Sequence, residues 1–384
     1  MHQIVRAVFF IGSLATGGAE RQYAVMASAL RQRGHEVLFL TMEDKAQNPD
    51  YLRLLDGIEV RVLMNRRWPG PLRLLQLLNS WRGVRRELLS FNADVIYAGL
   101  EWPDWLAARA AKGMKPRPAV VAGIRNSAPV VGWKRALPLK KLARHGGLDA
   151  LVANSHIGLA VANGLGISAP LEQVIANGID TDQFQPDLEG AGEVREEIGI
   201  PQDSPLIGHV GRLADAKDHP TLLEAFSIVA EKRSNAHFIC VGHGSQERLR
   251  SLNDHVRTAG FADRFHWIPS HSNLPALYSA LDMLVLSSSS EGFPNVVAEA
   301  MACETPCVVT NVGEAANIVG NFGRLAPPGD PESLAVSIKA MLDDPKPGGD
   351  ARARIVEHFS ISRMIETTEE MLETVIAAVD EGSD

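Results

Sequence analysis

The chain contains few cysteines and no long apolar segment, and these two shortages exclude several classes of protein. Its 384 residues include 3 cysteines. None of them forms a C-x-x-C pair, so neither a disulfide framework nor a cysteine-ligated metal is expected. No apolar run approaches the roughly 18 residues that a membrane-spanning helix requires. The fingerprint G-x-G-x-x-G is also absent, which argues against a nicotinamide-dependent oxidoreductase.

Charge is distributed unevenly along the chain. The net charge is −8, but residues 1–180 carry +9 and residues 181–384 carry −17. A basic half joined to an acidic half predicts that the first half meets an anionic partner. Nucleic acid is a poor candidate for that partner, because the chain as a whole is acidic.

Two basic stretches in the first half indicate the kind of partner. Residues 66–91 combine leucines at helical spacing with tryptophans and with the arginines Arg66, Arg67, Arg73, Arg82, Arg85 and Arg86. Residues 132–147 repeat the pattern with Lys134, Arg135, Lys140, Lys141 and Arg144. Basic amphipathic segments with aromatic residues suit an anionic membrane surface. The alternative is a solvated helix whose leucines pack on its own domain.

Short apolar strands alternate with amphipathic helices in two successive sets. The second set begins with "PLIGHVGRL", and the first has strands at Val5–Ile11, Asp94–Ala98, Ala119–Gly123 and Ala150–Ala153. This alternation predicts the α/β class, with two doubly wound parallel sheets whose strand ends surround one cleft. Ligands bind at such strand ends. Residues 180–194 are polar with Pro and Gly and predict a linker, whereas residues 361–380 predict a closing amphipathic helix.

The stretch "SSSSEGFPNVVAEAMA", residues 287–302, follows a predicted strand and places two carboxylates near a helix start. The helix is expected to have Pro294 in its first turn or Asn295 as its N-cap. The free N–H groups of that first turn make an anion site. Glu291 precedes the helix and Glu299 lies about one turn inside it. Carboxylates at a helix start are also favourable to the helix dipole alone, so the stretch by itself is ambiguous.

Three further loops after predicted strands carry residues that suit phosphate binding. In "VGRLADAKDH", Arg212 offers a planar fork and Lys217 a point charge to phosphate oxygens. In "GSLATGGAERQ", Gly17 and Gly18 let the backbone approach a ligand at a helix start. In "VGHGSQERL", Gly242 follows a strand in a similar way. Each loop alone is equally typical of solvated cations or of an ordinary tight turn.

Together and in this order, the motifs resemble those of the family 4 retaining glycosyltransferases, which have the GT-B fold. "EGFPNVVAEA" is similar to that family's E-x7-E element, "GRLADAKDH" to its phosphate loop, "NGID" to its hinge and "GGAE" to its N-domain glycine loop. The resemblance covers most of the chain. It implies two Rossmann-like, doubly wound domains that face a central cleft. Residues 1–180 would bind the acceptor, with a C-terminal helix at 360–384 packing back on them, and residues 181–359 would bind the nucleotide-sugar.

The resemblance also implies roles for the matching residues. Arg212 and Lys217 would neutralise the diphosphate as it leaves. Glu291 would hold the sugar near its 3- and 4-hydroxyls, and Glu299 would bind the ribose hydroxyls. Further contacts to the donor are expected from the backbone of Gly17, Gly18, Gly242, Gly292, Phe293, Pro294, Asn295 and Val296. No D-x-D motif stands in a suitable loop, so neither a metal nor a cofactor is expected, and the nucleotide-sugar is a co-substrate.

The sequence departs from the family at one position. Many members carry a histidine after the strand that matches "VVAGI", and here Arg125 and Asn126 stand in its place. An arginine keeps its proton at pH 7 and cannot be a general base. Arg125 is therefore expected to act at the reaction centre by binding the acceptor or the donor. Asn126 and Glu101 are assigned to the acceptor.

The activity that these expectations describe is retaining transfer of a hexose or N-acetylhexosamine from a nucleotide-sugar, UDP-linked rather than GDP-linked. The acceptor would be a glycan or a polyprenyl-diphosphate-linked glycan in cell-surface polysaccharide synthesis. Such a protein is expected in the cytoplasm, at the inner face of the cytoplasmic membrane. A nucleotide-sugar 2-epimerase, a glycosidase that uses both glutamates and a non-catalytic sugar-nucleotide binding protein remain open alternatives.

Overall fold

The computed structural model describes residues 4–15, 17–44, 47–64, 72–99, 102–125 and 139–381. The chain divides into two compact units, Met1–Gly178 with Ile361–Asp384 and Ile179–Ser360. Within the described residues, the first unit has a 7-stranded sheet and the second a 6-stranded sheet. Both units belong to the α/β class, as the alternation of strands and helices predicts.

All strand pairings in the two sheets are parallel. The strands are β1 (Arg6–Ile11), β2 (Glu36–Glu43), β3 (Glu59–Met64), β4 (Val95–Gly99), β5 (Ala119–Ile124), β6 (Ala150–Ala153), β7 (Leu171–Val174), β8 (Leu206–Val210), β9 (His237–Val241), β10 (Phe265–Ile268), β11 (Met283–Leu286), β12 (Cys307–Thr310) and β13 (Gly323–Ala326). Their order is β3-β2-β1-β4-β5-β6-β7 in the first unit and β10-β9-β8-β11-β12-β13 in the second.

Helices follow most of the strands in both units and supply the crossovers that parallel pairing requires. They are α1 (Gly18–Gln32), α2 (Pro49–Leu54), α3 (Leu72–Asn79), α4 (Trp81–Phe91), α5 (Trp102–Ala111), α6 (His156–Gly164), α7 (Leu188–Ile198), α8 (His219–Lys232), α9 (Gln246–Thr258), α10 (Leu274–Ala280), α11 (Asn295–Ala302), α12 (Ala315–Val319), α13 (Pro331–Asp343), α14 (Gly348–Phe359) and α15 (Ile361–Glu381).

The central strand of the first unit shows why its sequence is an unbroken apolar run. In β1, Phe9 and Ile11 pack into one hydrophobic cluster, whereas Val8 and Phe10 pack into another. Successive side chains of a strand point to opposite faces. Both faces of this sheet are therefore covered, which is the usual condition of a parallel sheet.

The last helix of the chain belongs to the first unit. Buried residues of α15, including Met364 and Leu372, lie in the same cluster as Phe9. The carboxylate of Glu369 adds polar contacts, at 2.6 Å to Nη1 of Arg33 and 3.1 Å to Nε2 of His35. This helix therefore completes the core of a sheet whose strands come from the other end of the chain.

The sequence predicts a linker over residues 180–194, and this prediction is wrong for the second half of that range. Helix α7 begins at Leu188, and the side chain of Asp187 caps it by accepting a hydrogen bond from the Gly190 amide at 2.9 Å. Arg195 of this helix is buried and reaches Asp282 at 2.6 Å. The glycines that suggested a loop lie inside this helix because its packing against α10 of the same unit outweighs their low helix propensity.

Candidate functional site

The predicted donor-binding residues of the second unit lie in the loops that follow β8, β9 and β11, and in helix α11, which begins after the last of these loops. These strands are parallel and adjacent in the sheet, so their loops emerge at one edge, where ligands of such sheets bind. Backbone hydrogen bonds connect the loops to one another. The Leu213 amide donates to the His243 carbonyl at 2.8 Å, and the Glu314 amide, after β12, donates to the Gly292 carbonyl at 2.9 Å.

Lys217 and Glu291, which the sequence assigns to different motifs, form an ion pair. The Nζ atom of Lys217 lies 2.5 Å from Oε1 of Glu291, with side chains that are 20% and 14% exposed. Lys217 ends a 3-10 turn, Asp215–Lys217. Arg212, in the same loop, is exposed. The cation and the carboxylate therefore form a paired, neutral group at the carboxyl ends of the strands.

The serine run before Glu291 holds this pair in place. The Ser288 hydroxyl donates to Oε1 of Glu291 at 2.7 Å, and the Ser287 hydroxyl donates to the backbone carbonyl of Lys217 at 2.7 Å. The Ser289 amide adds a bond to the Ala216 carbonyl at 2.9 Å. Ser287 and Ser288 are both fully buried. No role for these serines was predicted from the sequence, although hydroxyl groups that end a buried strand are a signal for such contacts.

Helix α11 begins one residue away from either predicted start. Pro294 occupies the N-cap position, with φ −76° and ψ 91°, and Asn295 is the first helical residue. Pro294 is therefore not in the first turn and Asn295 is not the cap, so both alternatives were wrong. No side chain caps this helix. Its first turn can consequently receive an anion without displacing a capping oxygen.

Glu299 lies in the second turn of α11 and is 6% exposed. The buried hydroxyl of Tyr278 donates to its Oε2 at 2.9 Å. Burial, and next the negative charge of Glu299, hold the pKa of Tyr278 well above its usual value, so the phenol keeps its proton and acts as the donor. Tyr278 is a residue that the sequence analysis missed, because it lies on another helix and has no motif of its own.

Two glycines shape these loops by allowing close backbone approach. Gly242 has φ +155°, and a Cβ atom there would overlap the Gly211 carbonyl. Gly313 has φ +55°, and a Cβ atom there would overlap the carbonyl oxygens of Gly292 and Glu291. Gly242 was predicted as a donor contact, and the structure gives it a packing reason as well. Gly313 was not predicted.

In the first unit, the predicted glycine loop leads into α1. Gly17 is the N-cap of this helix, which no side chain caps, and Gly18 is its first residue. The Tyr51 hydroxyl donates to the Gly17 carbonyl at 2.9 Å, and a Cβ atom at Gly17 would overlap the carboxylate of Glu20. A side chain at Gly17 would therefore require the carboxylate of Glu20 to move.

Arg125 is buried inside the first unit, with 6% exposure. Its Nη1 donates to Oδ1 of Asn177 at 3.1 Å, its Nη2 donates to the Tyr97 hydroxyl at 3.3 Å, and its guanidinium lies 5.1 Å from the ring centroid of Tyr23. Asn177, the first residue of the predicted hinge, thus anchors Arg125. Within the described part of the chain, Nε of Arg125 and Oδ1 of the buried Asn154 have no hydrogen-bond partner.

Arg125 and Asn154 follow the adjacent strands β5 and β6. They are therefore at the edge of the first sheet where a ligand is expected, and their unpartnered atoms are one donor and one acceptor. Glu101 and Asn126, the other two residues predicted for the acceptor, lie outside the described residues.

Two buried histidines lie beneath the loop of Lys217. The rings of His209 in β8 and His219 in α8 have centroids 4.9 Å apart. Nδ1 of His209 lies 3.0 Å from the Val285 carbonyl and must donate to it. Burial, and next the neighbouring His219, lower the pKa of His209 to about 3. Burial, and next Lys217, lower the pKa of His219 to about 4. Both rings are therefore neutral at pH 7.

Some residues of the predicted basic segment 66–91 make contacts within the first unit. Nη1 of Arg85 donates to the carbonyls of Ala110 and Lys112 at 3.0 and 2.9 Å, at the C-terminal end of α5, and Arg109 lies over the ring of Trp81. The segment also has exposed leucines, namely Leu72, Leu75 and Leu89. Residues 65–71 and 126–138, which carry Arg66, Arg67, Lys134 and Arg135, lie outside the described residues.

The described residues contain neither a membrane-spanning helix nor a cluster of potential metal ligands. No helix among them is long and apolar enough to cross a membrane. No group of three or more His, Cys, Asp or Glu side chains among them could hold a metal ion.

Two family models match the chain, one for each unit. The model described as Glycosyltransferase Family 4 matches residues 16–183. The model described as Glycosyl transferases group 1 matches residues 191–358. Together they include all the loops described above.

Relatives and solved structures agree with these matches. A D-inositol 3-phosphate glycosyltransferase from Thermomonospora curvata is 26% identical over 96% of this chain and 92% of its own length. The lipopolysaccharide core biosynthesis mannosyltransferase LpsB from Rhizobium meliloti is 31% identical over 47% of this chain and 52% of LpsB, about half of either protein.

Among solved structures, HepE from Anabaena in complex with UDP has a TM-score of 0.84 at 23% identity, covering 96% of this chain and 100% of HepE. The structure of HepE in complex with UDP-glucose has a TM-score of 0.81 at 23% identity. At this identity the likeness establishes a common fold.

Proposed function

Because the chain belongs to the glycosyltransferases of group 1 and family 4 and has their GT-B fold, we propose that it transfers a sugar from a UDP-sugar, with retention of configuration. The acceptor is a glycan or a lipid-linked glycan of the cell surface. The observation that carries this proposal is the ion pair of Lys217 and Glu291, held beside the uncapped start of α11 at the strand ends.

The second unit is assigned the uridine diphosphate. Arg212 and Lys217 supply cations to the phosphates, and the first-turn amides of α11 supply N–H donors. Glu299 hydrogen-bonds the ribose hydroxyls in an orientation that Tyr278 maintains. The structures of HepE with UDP and with UDP-glucose support a uridine nucleotide over a guanosine one.

Transfer breaks the bond between the anomeric carbon and the β-phosphate oxygen, so negative charge develops on the diphosphate. Cations and amides that are already in position stabilise this charge without reorganising. Glu291 is assigned to the sugar and accepts hydrogen bonds from its 3- and 4-hydroxyls. We assign no protein nucleophile, and the acceptor attacks from the face that the diphosphate leaves. No metal takes part in this scheme.

The first unit is assigned the acceptor, with Arg125 among the residues that contact it. LpsB is named for the lipopolysaccharide core, which supports an acceptor carried on a lipid. The exposed leucines of α3 and α4 lie in the same segment as Arg82 and Arg86, and such a surface suits an anionic membrane. We therefore place the protein at the inner face of the cytoplasmic membrane. Flotation with anionic and with neutral vesicles at low salt tests this, and equal retention by both would contradict it.

The donor is tested by thermal shift and calorimetry against UDP-, GDP- and ADP-sugars. UDP compounds are expected to raise the melting temperature most, and the Glu299→Gln variant is expected to lose that shift. The Asp343→Asn variant, which changes a surface ion pair with Arg233 in the same unit, should keep it. A response to GDP or ADP compounds alone would overturn the proposed donor.

Product analysis then tests the reaction. Conversion of the donor without any acceptor would indicate an epimerase, and hydrolysis of glycosides without nucleotide would indicate a glycosidase. Binding without turnover under all acceptors tried would favour a non-catalytic binding protein.

A further inference from the structure

The charge of Lys217 is not available to a ligand on its own, because Glu291 neutralises it. Its Nζ atom is 2.5 Å from Oε1 of Glu291, and both side chains are mostly buried. Ions in such a position are screened little by solvent or salt. A diphosphate that reaches Lys217 must therefore also approach the carboxylate of Glu291.

The carboxylate cannot move away easily, because it is held from two sides. The Ser288 hydroxyl donates to the same Oε1 atom at 2.7 Å, and the Ser288 carbonyl in turn accepts a hydrogen bond from the Thr310 hydroxyl at 2.7 Å. The backbone of Glu291 and Gly292 lies against Gly313, where no Cβ atom fits. The carboxylate is thus a fixed negative charge beside the cation.

A fixed carboxylate at this place distinguishes two ligands that differ only at the β-phosphate. In a nucleotide-sugar the β-phosphate joins the α-phosphate to the sugar and has one negative charge, and the sugar has hydroxyls that can donate to the carboxylate. In the free nucleoside diphosphate the β-phosphate is terminal and carries no sugar, and its charge at pH 7 is about −1.5 to −2, as in a phosphate monoester. The carboxylate therefore repels the free nucleoside diphosphate more strongly than the nucleotide-sugar, and the free diphosphate gains no sugar hydrogen bond that would compensate.

We propose that Glu291 is a specificity-determining residue that weakens binding of the spent nucleoside diphosphate relative to the intact donor. This rests on the proposed function, since it takes the diphosphate to bind at Lys217. The consequence is that product leaves the site more readily than the cation and amides alone would allow. The hydrogen bonds of the serine run keep the carboxylate at the position where it discriminates between the donor and the spent diphosphate.

Calorimetric titration of UDP and UMP tests the proposal, because UMP lacks the β-phosphate and serves as the ligand control. The isosteric change Glu291→Gln is expected to tighten UDP binding about tenfold, which is about 1.4 kcal/mol, and to leave UMP binding unchanged. UDP-glucose should gain clearly less than UDP, because its β-phosphate carries less charge and its sugar loses an ionic partner. Asp343→Asn should change none of these affinities.

The outcomes separate the proposal from the function on which it rests. If the parent binds UDP but Glu291→Gln binds it equally or more weakly, the discrimination is wrong and the donor assignment stands. If the parent binds neither UDP nor UDP-glucose, both are wrong. Should Glu291→Gln melt well below the parent, Glu291→Ser replaces it and carries the same expected gain for UDP over UMP.

Discussion

The Nζ atom of Lys217 lies 2.5 Å from Oε1 of Glu291, although 74 positions separate the two residues in the sequence. Their loops follow β8 and β11, which pair in the sheet of the second unit. Removing one member of a mostly buried ion pair leaves the other charge uncompensated. Substitutions of either residue therefore report on the pair as well as on any ligand.

Replacing Lys217 by Met should slow turnover more than it weakens donor binding. The lysine faces a charge that grows in the transition state, and loss of one preorganised donor of this kind lowers kcat by about 10²–10³. The measurements are kcat for transfer and calorimetric affinity for UDP. Lys232→Met, at the exposed end of α8, is the matched control and should behave as the parent. Equal losses in rate and affinity would mean that Lys217 only binds the ground state.

Replacing Glu299 by Gln should weaken UDP binding by about 1.5–3 kcal/mol, the value of a hydrogen bond to a charged group. Tyr278→Phe is the companion variant, because it removes the hydroxyl that donates to Glu299. It should lower the free energy of unfolding by about 1–3 kcal/mol while affecting UDP affinity less than Glu299→Gln does. Calorimetry and urea unfolding measure the two effects. Parental UDP affinity in Glu299→Gln would contradict the ribose assignment.

Replacing Gly313 by Ala should disrupt UDP binding, because the new methyl group overlaps the carbonyls of Gly292 and Glu291. Gly329→Ala is the control, since Gly329 also has positive φ, at +72°, but has nothing within 4 Å of its would-be Cβ. Backbone strain should cost both variants about 1–2 kcal/mol of stability, and the overlap with backbone should cost Gly313→Ala more. Only Gly313→Ala is expected to lose affinity for UDP in calorimetry. The same affinity in both variants would show that Gly313 does not position the Glu291 loop.

The buried histidines predict a loss of stability in acid. Burial lowers the pKa of His209 to about 3 in the folded protein, whereas an unfolded histidine titrates near 6.5. Between these values the unfolded chain binds a proton that the folded chain does not. The stabilising contribution is therefore complete above pH 6.5 and falls as the pH drops toward 3.

His209→Gln removes this titration and retains an amide that can donate to the Val285 carbonyl. Between pH 7 and pH 5, the variant should lose about 2 kcal/mol less unfolding free energy than the parent. Urea unfolding at the two pH values measures the difference. The exposed His243 provides the control, because His243→Gln should follow the parent. A parallel loss in His209→Gln and the parent would show that His209 does not titrate abnormally.

The apolar strands and the helices between them were predictable because they depend on local pattern. β6 has the predicted bounds, and β1, β4 and β5 agree to within one residue. Of the four edge strands, β3, β7 and β13 were not predicted, whereas β10 was, from its apolar and aromatic stretch "RFHWIP". The residues of the three unpredicted strands are mostly half-buried or exposed, so these strands lack the continuous apolar run that marks a central parallel strand. Pairing with a neighbour, rather than their own composition, makes them strands.

The sequence by itself determined where the predicted donor-binding side chains stand, since Lys217, Glu291 and Glu299 each lie beside a recognisable strand or helix start. Only the tertiary structure decided how these residues pair. The ion pair of Lys217 with Glu291, the bond from Tyr278 to Glu299 and the burial of Arg125 against Asn177 all join distant parts of the chain. Periodicity and capping signals extend over a few residues, whereas side-chain contacts of this kind exist only after the strands have ordered into a sheet. For that reason the sequence predicted which side chains stand in these loops, but it did not predict which side chains they contact.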